Sequence, residues 1–392
     1  MLNSSDNSPP PTIDLTATLS IVLIGAVGGI MPSLQPLLLG RLAMDGIIQS
    51  AAIGRLAMAE ALGMALAVGA AGILLKGTHL RWIAGGAFLL VAACNALTGQ
   101  ASGALLTVLR AGSGIGTGLM LWLLIGLLAR VALPTRVTGY YVILQGVGAL
   151  GLASLFASVV LPATGAAGAY LTLGGIALLL LLTIRFVPPT YAPLPNATRL
   201  VLPNVPGGIG LLSAGLHLAG IMALWVYAVP VGRTLGLNAD TVNMAVSSAI
   251  GVQILAGIAA IMLARLKPVP TVLGCASVSI VAAFMLLNAG QSEEFMAALA
   301  LFSFAWVFVL PYHVPTLIEL DESRGSLMLL TSAQLLGIAG GPLLASFTLT
   351  GDNATGAIKV SITLFGLAIL ALLAARATLR KQPLATEGVP RT

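Results

Sequence analysis

The sequence predicts an all-α polytopic membrane protein, with twelve transmembrane helices in two pseudo-symmetric six-helix bundles. Three observations carry this: a charge-poor composition, long apolar runs between turn signals, and an alternating placement of basic residues. Of 392 residues, 58% are hydrophobic and only 8% are charged, against about a quarter charged in a soluble domain. That excludes an ordinary cytosolic enzyme and also a disordered chain, which needs low hydrophobicity and high charge. The apolar runs also exceed the ~10-residue alternating strands of an outer-membrane barrel.

A helix crossing the ~30 Å hydrocarbon core needs about 20 apolar residues. The runs lie near 15–40, 48–74, 81–99, 102–129, 137–161, 164–186, 208–232, 240–265, 269–290, 294–318, 326–350 and 356–378. Breaks fall where Gly, Pro, Asn, Asp and charges cluster, as at Lys76-Gly77-Thr78-His79 and Leu266-Lys267-Pro268. The fifth break, Pro162-Ala163-Thr164-Gly165, is weak. Residues 1–14, with Pro9-Pro10-Pro11, read as a disordered N-terminal tail. No basic n-region or small-residue cleavage site precedes the first run, so it reads as a retained span.

The basic residues check the count independently. With a cytoplasmic amino terminus, inner loops and tail hold Lys76, Arg81, Arg130, Arg136, Arg185, Arg199, Arg265, Lys267, Arg324, Arg376, Arg380, Lys381 and Arg391, which is 13 of 18. Arg41, Arg55, Arg233 and Lys359 fall toward the outer side, and Arg110 inside a span. This positive-inside bias fits an even number of spans in an inner (plasma) membrane with both termini cytoplasmic. The net charge of +6 then describes topology rather than nucleic-acid binding.

The Pro-rich stretch 187–207 reads as a cytoplasmic linker between an N-terminal bundle (15–186) and a C-terminal bundle (208–378), followed by a cytoplasmic tail (379–392). The halves echo each other. Gln145, Gly148 and Gly151 of the fifth run recur in spacing as Gln334, Gly337 and Gly340 of the eleventh. Gly63 and Gly69 of the second recur as Gly251 and Gly257 of the eighth. Small residues at such places let helices approach closely in lipid.

Twelve spans in two halves resemble the major facilitator superfamily of secondary transporters. The most specific match is Arg110-Ala111-Gly112-Ser113-Gly114-Ile115-Gly116, which is similar to that family's Arg-x-x-x-Gly-x-Gly motif. Gly54-Arg55-Leu56-Ala57-Met58-Ala59-Glu60-Ala61-Leu62-Gly63 resembles bacterial members with a glutamate before a glycine-rich stretch, and Gly337-Ile338-Ala339-Gly340-Gly341-Pro342 is similar to a pattern seen there. Two departures stand out. The loop between spans two and three has Leu75 where the family's aspartate belongs, which puts that loop's charge relay in doubt. Span five, Gly146-Val147-Gly148-Ala149-Leu150-Gly151, lacks the Gly-Pro pair of drug/proton exporters.

Few polar groups fall inside the spans, where each must have a reason. Glu60, near the midplane, is a proton-coupling candidate or a packing residue bonded to a neighbouring helix. Arg110, at comparable depth, is expected to bind an anionic substrate, pair with Glu60 or brace its helix; the span-four resemblance implies coupling or bracing. His217 and His313 are the intramembrane imidazoles, and His313 joins the proton-coupling candidates because Pro311 and Pro315 weaken its helix and free carbonyls. Substrate-cavity candidates are Gln35, Gln145, His217, Trp225, Tyr227, Gln253, Trp306 and Gln334. Arg55 is expected to snorkel or to meet Asp45. Cys94 and Cys275 differ in height by ~10 Å, beyond the ~7 Å reach of a disulfide, and read as free thiols.

The function predicted is secondary active transport of a small organic solute by alternating access, coupled to protons, with a drug-efflux antiporter as the alternative. No enzyme activity, cofactor or metal is expected, and no Walker-type phosphate loop is present. Lipid bilayer, solute and protons are the expected partners. An intramembrane enzyme would need clustered polar groups. The chain offers Glu319, Asp321 and Glu322, which with Arg324 read as a solvated salt-bridge cap. A signalling receptor is disfavoured by the lack of a sizeable soluble domain.

Overall fold

A computed structural model describes residues 14–75, 77–131, 133–192, 202–351 and 353–381. Most of the two expected tails, the middle of the linker and Lys76 lie outside the described residues. The first half comprises α1 (Leu15–Met44), α2 (Ser50–Leu74), α3 (Leu80–Thr98), α4 (Gly103–Leu128), α5 (Pro134–Leu155) and α6 (Leu161–Leu180). The second comprises α7 (Val205–Trp225), α8 (Ala228–Thr234), α9 (Ala239–Met262), α10 (Pro268–Leu287), α11 (Ser292–Leu320), α12 (Gly325–Ser346) and α13 (Thr355–Lys381).

Among the described residues, eleven helical runs are long and apolar enough to cross a membrane. One of them, Arg136–Phe186, has 51 residues and would measure about 77 Å if straight, far beyond one crossing. It passes through a π-helical turn, Phe156–Val160, and reverses at Gly165 (φ 64°, ψ −163°). That backbone conformation is open to glycine and closed to side chains with a Cβ. The weak fifth break is thus a real one, and it divides this run into two, giving twelve membrane-length segments among the described residues. The chain is a multi-pass membrane protein.

Asp45 helps hold the bend: its Oδ2 accepts the Ala166 N–H at 2.8 Å, while Oδ1 pairs with Arg41 at 2.7 Å. Asp45 is therefore committed to Arg41 and the return helix, and the expected Arg55–Asp45 contact does not form. The seventh span departs from a single rod. It stops at Trp225 and restarts at Ala228, with Tyr227 (φ −97°, ψ 9°) at the interruption. The tenth span does the opposite, since α11 runs unbroken through Pro311 and Pro315.

Glycines set the closest helix contacts. Within the first half, Gly63 lies on the Ala111 carbonyl, Gly114 on the Glu60 carbonyl and Gly118 on the Met64 carbonyl, so α2 and α4 touch backbone to backbone. Gly116 does the same for α4 against Ala87 of α3. The Arg-x-x-x-Gly-x-Gly segment therefore seats α4 on two helices at once. In the second half the tightest seam lies elsewhere, with Gly337 on the Gly215 carbonyl and Gly341 on that of Ala219, joining α12 to α7. Of the repeated glycines, Gly63, Gly148, Gly251 and Gly337 pack against a neighbour, whereas a Cβ on Gly69, Gly151, Gly257 or Gly340 would meet open space.

The end of the bundle where α1 begins and α13 finishes is here the terminal end, and the opposite one the far end. The halves join from mid-height to the far end: Gly40 meets Val229, Gly54 meets Pro342, and Gly146 meets Ile254. At the terminal end, the chain after α6 straps the first half. Tyr191 donates its N–H to Gly77 O at 2.8 Å, and Leu80 donates to Pro189 O at 3.0 Å. Arg81 Nε donates to Val187 O and Arg130 Nε to Ala192 O, both at 2.6 Å. Backbone bonds thus tie this segment to the α2–α3 loop and to the start of α3, and the two arginines tie it to α3 and to the end of α4.

The expected solvated salt bridge at the end of α11 is also different. Asp321 is fully buried. Its Oδ1 accepts from Ser323 Oγ at 2.6 Å and its Oδ2 from the Ser326 N–H at 2.8 Å, so it caps α12. Burial raises its pKa, but these hydrogen bonds outweigh that and hold the carboxyl below its ordinary value.

Candidate functional site

The polar residues singled out in the spans collect into one node in each half and a set of aromatic contacts between them. The first node surrounds Arg110, which has no exposed surface, and Glu60, which is 4% exposed. Glu60 is ten residues into α2, roughly 15 Å along it, and Arg110 is seven residues into α4, roughly 10 Å from its far end. Arg110 Nη1 donates to Glu60 Oε1 at 3.3 Å. Its Nη2 donates to Asn95 Oδ1 at 2.8 Å and to Thr98 Oγ1 at 2.9 Å. The Tyr170 ring lies 4.6 Å from the guanidinium carbon, a cation–π contact that further offsets desolvation of the charge. Gln35 Nε2 donates to the second carboxylate oxygen, Glu60 Oε2, at 3.3 Å.

This node uses α1, α2, α3, α4 and α6. Of the options open for Arg110, the structure shows pairing with Glu60 together with contacts to two further helices, α3 and α6. A buried ion pair persists only when its remaining hydrogen-bonding capacity is met, and Asn95, Thr98 and Tyr170 meet most of it. Arg110 Nε and Gln35 Oε1 have no partner. Sequence reasoning missed Asn95, Thr98 and Tyr170; an asparagine inside an apolar span was the available signal for the first.

The second node carries no formal charge. His313, 2% exposed, receives Gln334 Nε2 on its Nδ1 at 3.1 Å. With the Gln334 amide nitrogen as donor, Nδ1 is the acceptor in this contact. His217 stands edge-on to His313, with ring centroids 5.5 Å apart, and edge-on to Phe365 at 5.2 Å. Both His217 nitrogens and His313 Nε2 lack a hydrogen-bond partner. His313 sits roughly 10 Å from the terminal end of α11. The two nodes therefore lie toward opposite ends of their bundles.

Between the halves, the interruption after α7 places two aromatic side chains. Trp225 Nε1 donates to Pro32 O of α1 at 3.1 Å, and Tyr227 Oη accepts from the Gly54 N–H of α2 at 2.8 Å. Trp306 of α11 backs Trp225 edge-on at 5.4 Å. Two candidates stand apart from these groups: Gln145 bonds to Gly29 O of α1 at 2.8 Å, and Gln253 Nε2 has no partner. Cys94 and Cys275 are free and buried. Among the described residues no cluster of His, Cys, Asp and Glu can hold a metal ion.

No family model matches the sequence, and no curated protein matches it. Solved structures do match over nearly the whole chain. The nucleoside transporter NupG, in a mutant form, has a TM-score of 0.74 at 10% identity, covering 92% of this chain and 99% of that one. A D-xylose-proton symporter has a TM-score of 0.67 at 16% identity, covering 94% and 98%. A bacterial homologue of the human lysosomal transporter Spinster, inward-facing and unoccupied, has 0.63 at 13%, covering 93% and 95%. The chain has the two-bundle fold of major facilitator superfamily transporters.

Proposed function

We propose that this protein is a proton-coupled secondary transporter of a small organic solute, working by alternating closure of the two ends of the bundle. The observation that carries it is the buried Glu60–Arg110 pair, held by Gln35, Asn95, Thr98 and Tyr170 inside that fold. Within the membrane, ionisable residues are rare and costly and mark functional sites, proton relays among them. Protonation of Glu60 removes the anion that Arg110 faces, while Asn95 and Thr98 continue to receive Nη2. With the proton on, the guanidinium keeps its neutral acceptors and the Tyr170 face but loses its counter-ion, so proton uptake changes the balance of forces that holds the node.

His313 is a second proton acceptor in this reading, through the Nδ1 lone pair that now receives Gln334. The solute sits where the two bundles face each other, below the Trp225–Trp306 contact. Trp225, Tyr227, Trp306, Gln145 and Gln253 are the residues to test there. The terminal end is assigned to the cytoplasm of an inner membrane, following the bias of basic residues. The far-end contacts then close the molecule on the outside.

Structural neighbours transport nucleosides and D-xylose, so those two classes are the first probes. Purified protein in proteoliposomes is loaded with a nucleoside pool or with D-xylose, and exchange of labelled solute is followed. Accumulation against a gradient when the lumen is alkaline supports proton symport, and accumulation when it is acid supports exchange with protons. Solute movement indifferent to the pH gradient would remove proton coupling from the proposal.

A further inference from the structure

Gln35 links the Glu60 carboxylate to the contact that holds the two halves together, and we infer that it transmits the protonation of Glu60 to the far-end closure. This rests on the proton-coupling role of Glu60 proposed above. The inference starts from α1. Pro36 has no N–H, so the carbonyl four residues earlier, Pro32 O, is left without its helical partner. That carbonyl receives the indole N–H of Trp225 from the other half, at 3.1 Å. Gln35 stands between these two prolines, one helical turn beyond Pro32, and donates its amide to Glu60 at 3.3 Å.

Both carboxylate oxygens of Glu60 face donors: Arg110 Nη1 at Oε1 and Gln35 Nε2 at Oε2. A proton taken up on Oε2 on the side that Gln35 faces sets an O–H against the NH₂ of Gln35, donor against donor. Gln35 Oε1, which is buried without a partner, is the acceptor at hand. The conflict is relieved when the amide turns to offer Oε1. The turn acts on a segment of α1 where prolines at 32 and 36 have removed two helical hydrogen bonds, so the backbone there is easily moved.

The groups around Glu60 leave few competing explanations. The titratable or charged neighbours are Arg110 from α4, Cys94 from α3 and Tyr170 from α6. From α1 the facing group is Gln35, and α12 reaches α2 through the backbone of Pro342 at Gly54. Gln35 is thus a positioning residue, and Trp225 is the member of the second half that reads its state. The Tyr227–Gly54 bond, on the other side of the α7 interruption, holds α2 in the same closure.

The test needs no solute. Spin labels at Gln49 and Asp240, both exposed near the far end, report far-end separation in the full-length protein by double electron–electron resonance. Wild type is expected to shift toward longer distances as pH falls from alkaline to mildly acid. Glu60→Gln and Gln35→Met are each expected to lose that shift, and Trp225→Phe to show the longer distance at both pH values. If Gln35→Met kept the wild-type shift while Glu60→Gln lost it, the relay would be wrong and the role of Glu60 would stand. A shift retained in Glu60→Gln, or absent from wild type, would overturn both. Should Gln35→Met fail to give a monodisperse protein, the Trp225→Phe arm decides: distances and shift identical to wild type refute the relay.

Discussion

Gly114 of α4 lies on the backbone carbonyl of Glu60 in α2, with no room for a Cβ between them. One turn earlier on α4, Arg110 reaches the carboxylate of that same residue. The glycine brings the helices close enough for the ion pair to form. Gly114→Val is therefore expected to force α2 and α4 apart at about 1–3 kcal/mol, the usual range for overpacking. A thermal melt in detergent checks this, and an unchanged Tm would refute it. Gly151→Ala and Gly340→Ala, which face open space, are expected to leave Tm unmoved.

Arg110→Gln removes the cation and leaves a buried carboxylate facing only Gln35. Breaking a buried ion pair from one side costs about 3–5 kcal/mol, so low yield and a depressed Tm are expected at neutral pH. The double variant Glu60→Gln with Arg110→Gln removes both charges and is expected to recover much of that loss. Equal Tm values for the single and double variants would show that the pair is not what stabilises this node.

Gly54 is the far-end junction, where α2 meets both the Tyr227 hydroxyl and the Pro342 carbonyl of the other half. Gly54→Leu is expected to hold the far end open. Cysteine pairs placed across Gly40 and Val229, which touch in the closed end, would then cross-link in wild type but poorly in the variant. Equal cross-linking would contradict the assignment of this junction as the closure.

The two histidines are expected to behave differently. His217 is buried with both nitrogens unpartnered, so His217→Phe removes an unsatisfied group worth about 1–3 kcal/mol. It should raise Tm and leave the pH profile of solute exchange in place. His313→Leu removes the acceptor of Gln334 and should displace that profile. A displaced profile in His217→Phe would move the proton-accepting role from one ring to the other.

Asp321 gives a pH prediction outside the membrane. Its folded pKa lies below the ordinary value of 3.8. Its stabilisation is therefore fully present above that value and is lost as pH falls through the folded pKa. Asp321→Asn should lower Tm at neutral pH and flatten the acid side of the Tm–pH curve below about pH 4. An acid limb as steep as that of wild type would assign acid sensitivity to other carboxylates.

The all-helical, many-span architecture was legible because bilayer thickness fixes span length. Even the weak break at Pro162–Gly165 was visible, through a glycine and a proline. The pairing of Glu60 with Arg110 was one of three options for the arginine; distance along each helix placed them at similar depth, but only packing by Gly114 could decide it. Asn95 was open to the same reading as Gln35 or Gln145, an amide inside an apolar span, whereas Thr98 and Tyr170 are ordinary in such spans and became legible only through their contacts with Arg110. The interruption at Val226–Tyr227 did have a sequence signal, Pro230, which lacks an N–H and leaves the Val226 carbonyl without its helical partner, but the apolar run continues through it. Asp321 was misjudged because loop position suggested solvent, whereas its hydrogen bonds to Ser323 and Ser326 make it a buried cap.

The most direct test is proton movement itself. Wild-type and Glu60→Gln proteoliposomes containing a pH-sensitive dye are given a pool of nucleosides and D-xylose outside, with solute exchange measured in parallel. The account predicts a change in lumenal pH that accompanies solute uptake in wild type, and exchange without that change in Glu60→Gln. Equal proton flux in the two proteins, with exchange intact, would contradict it.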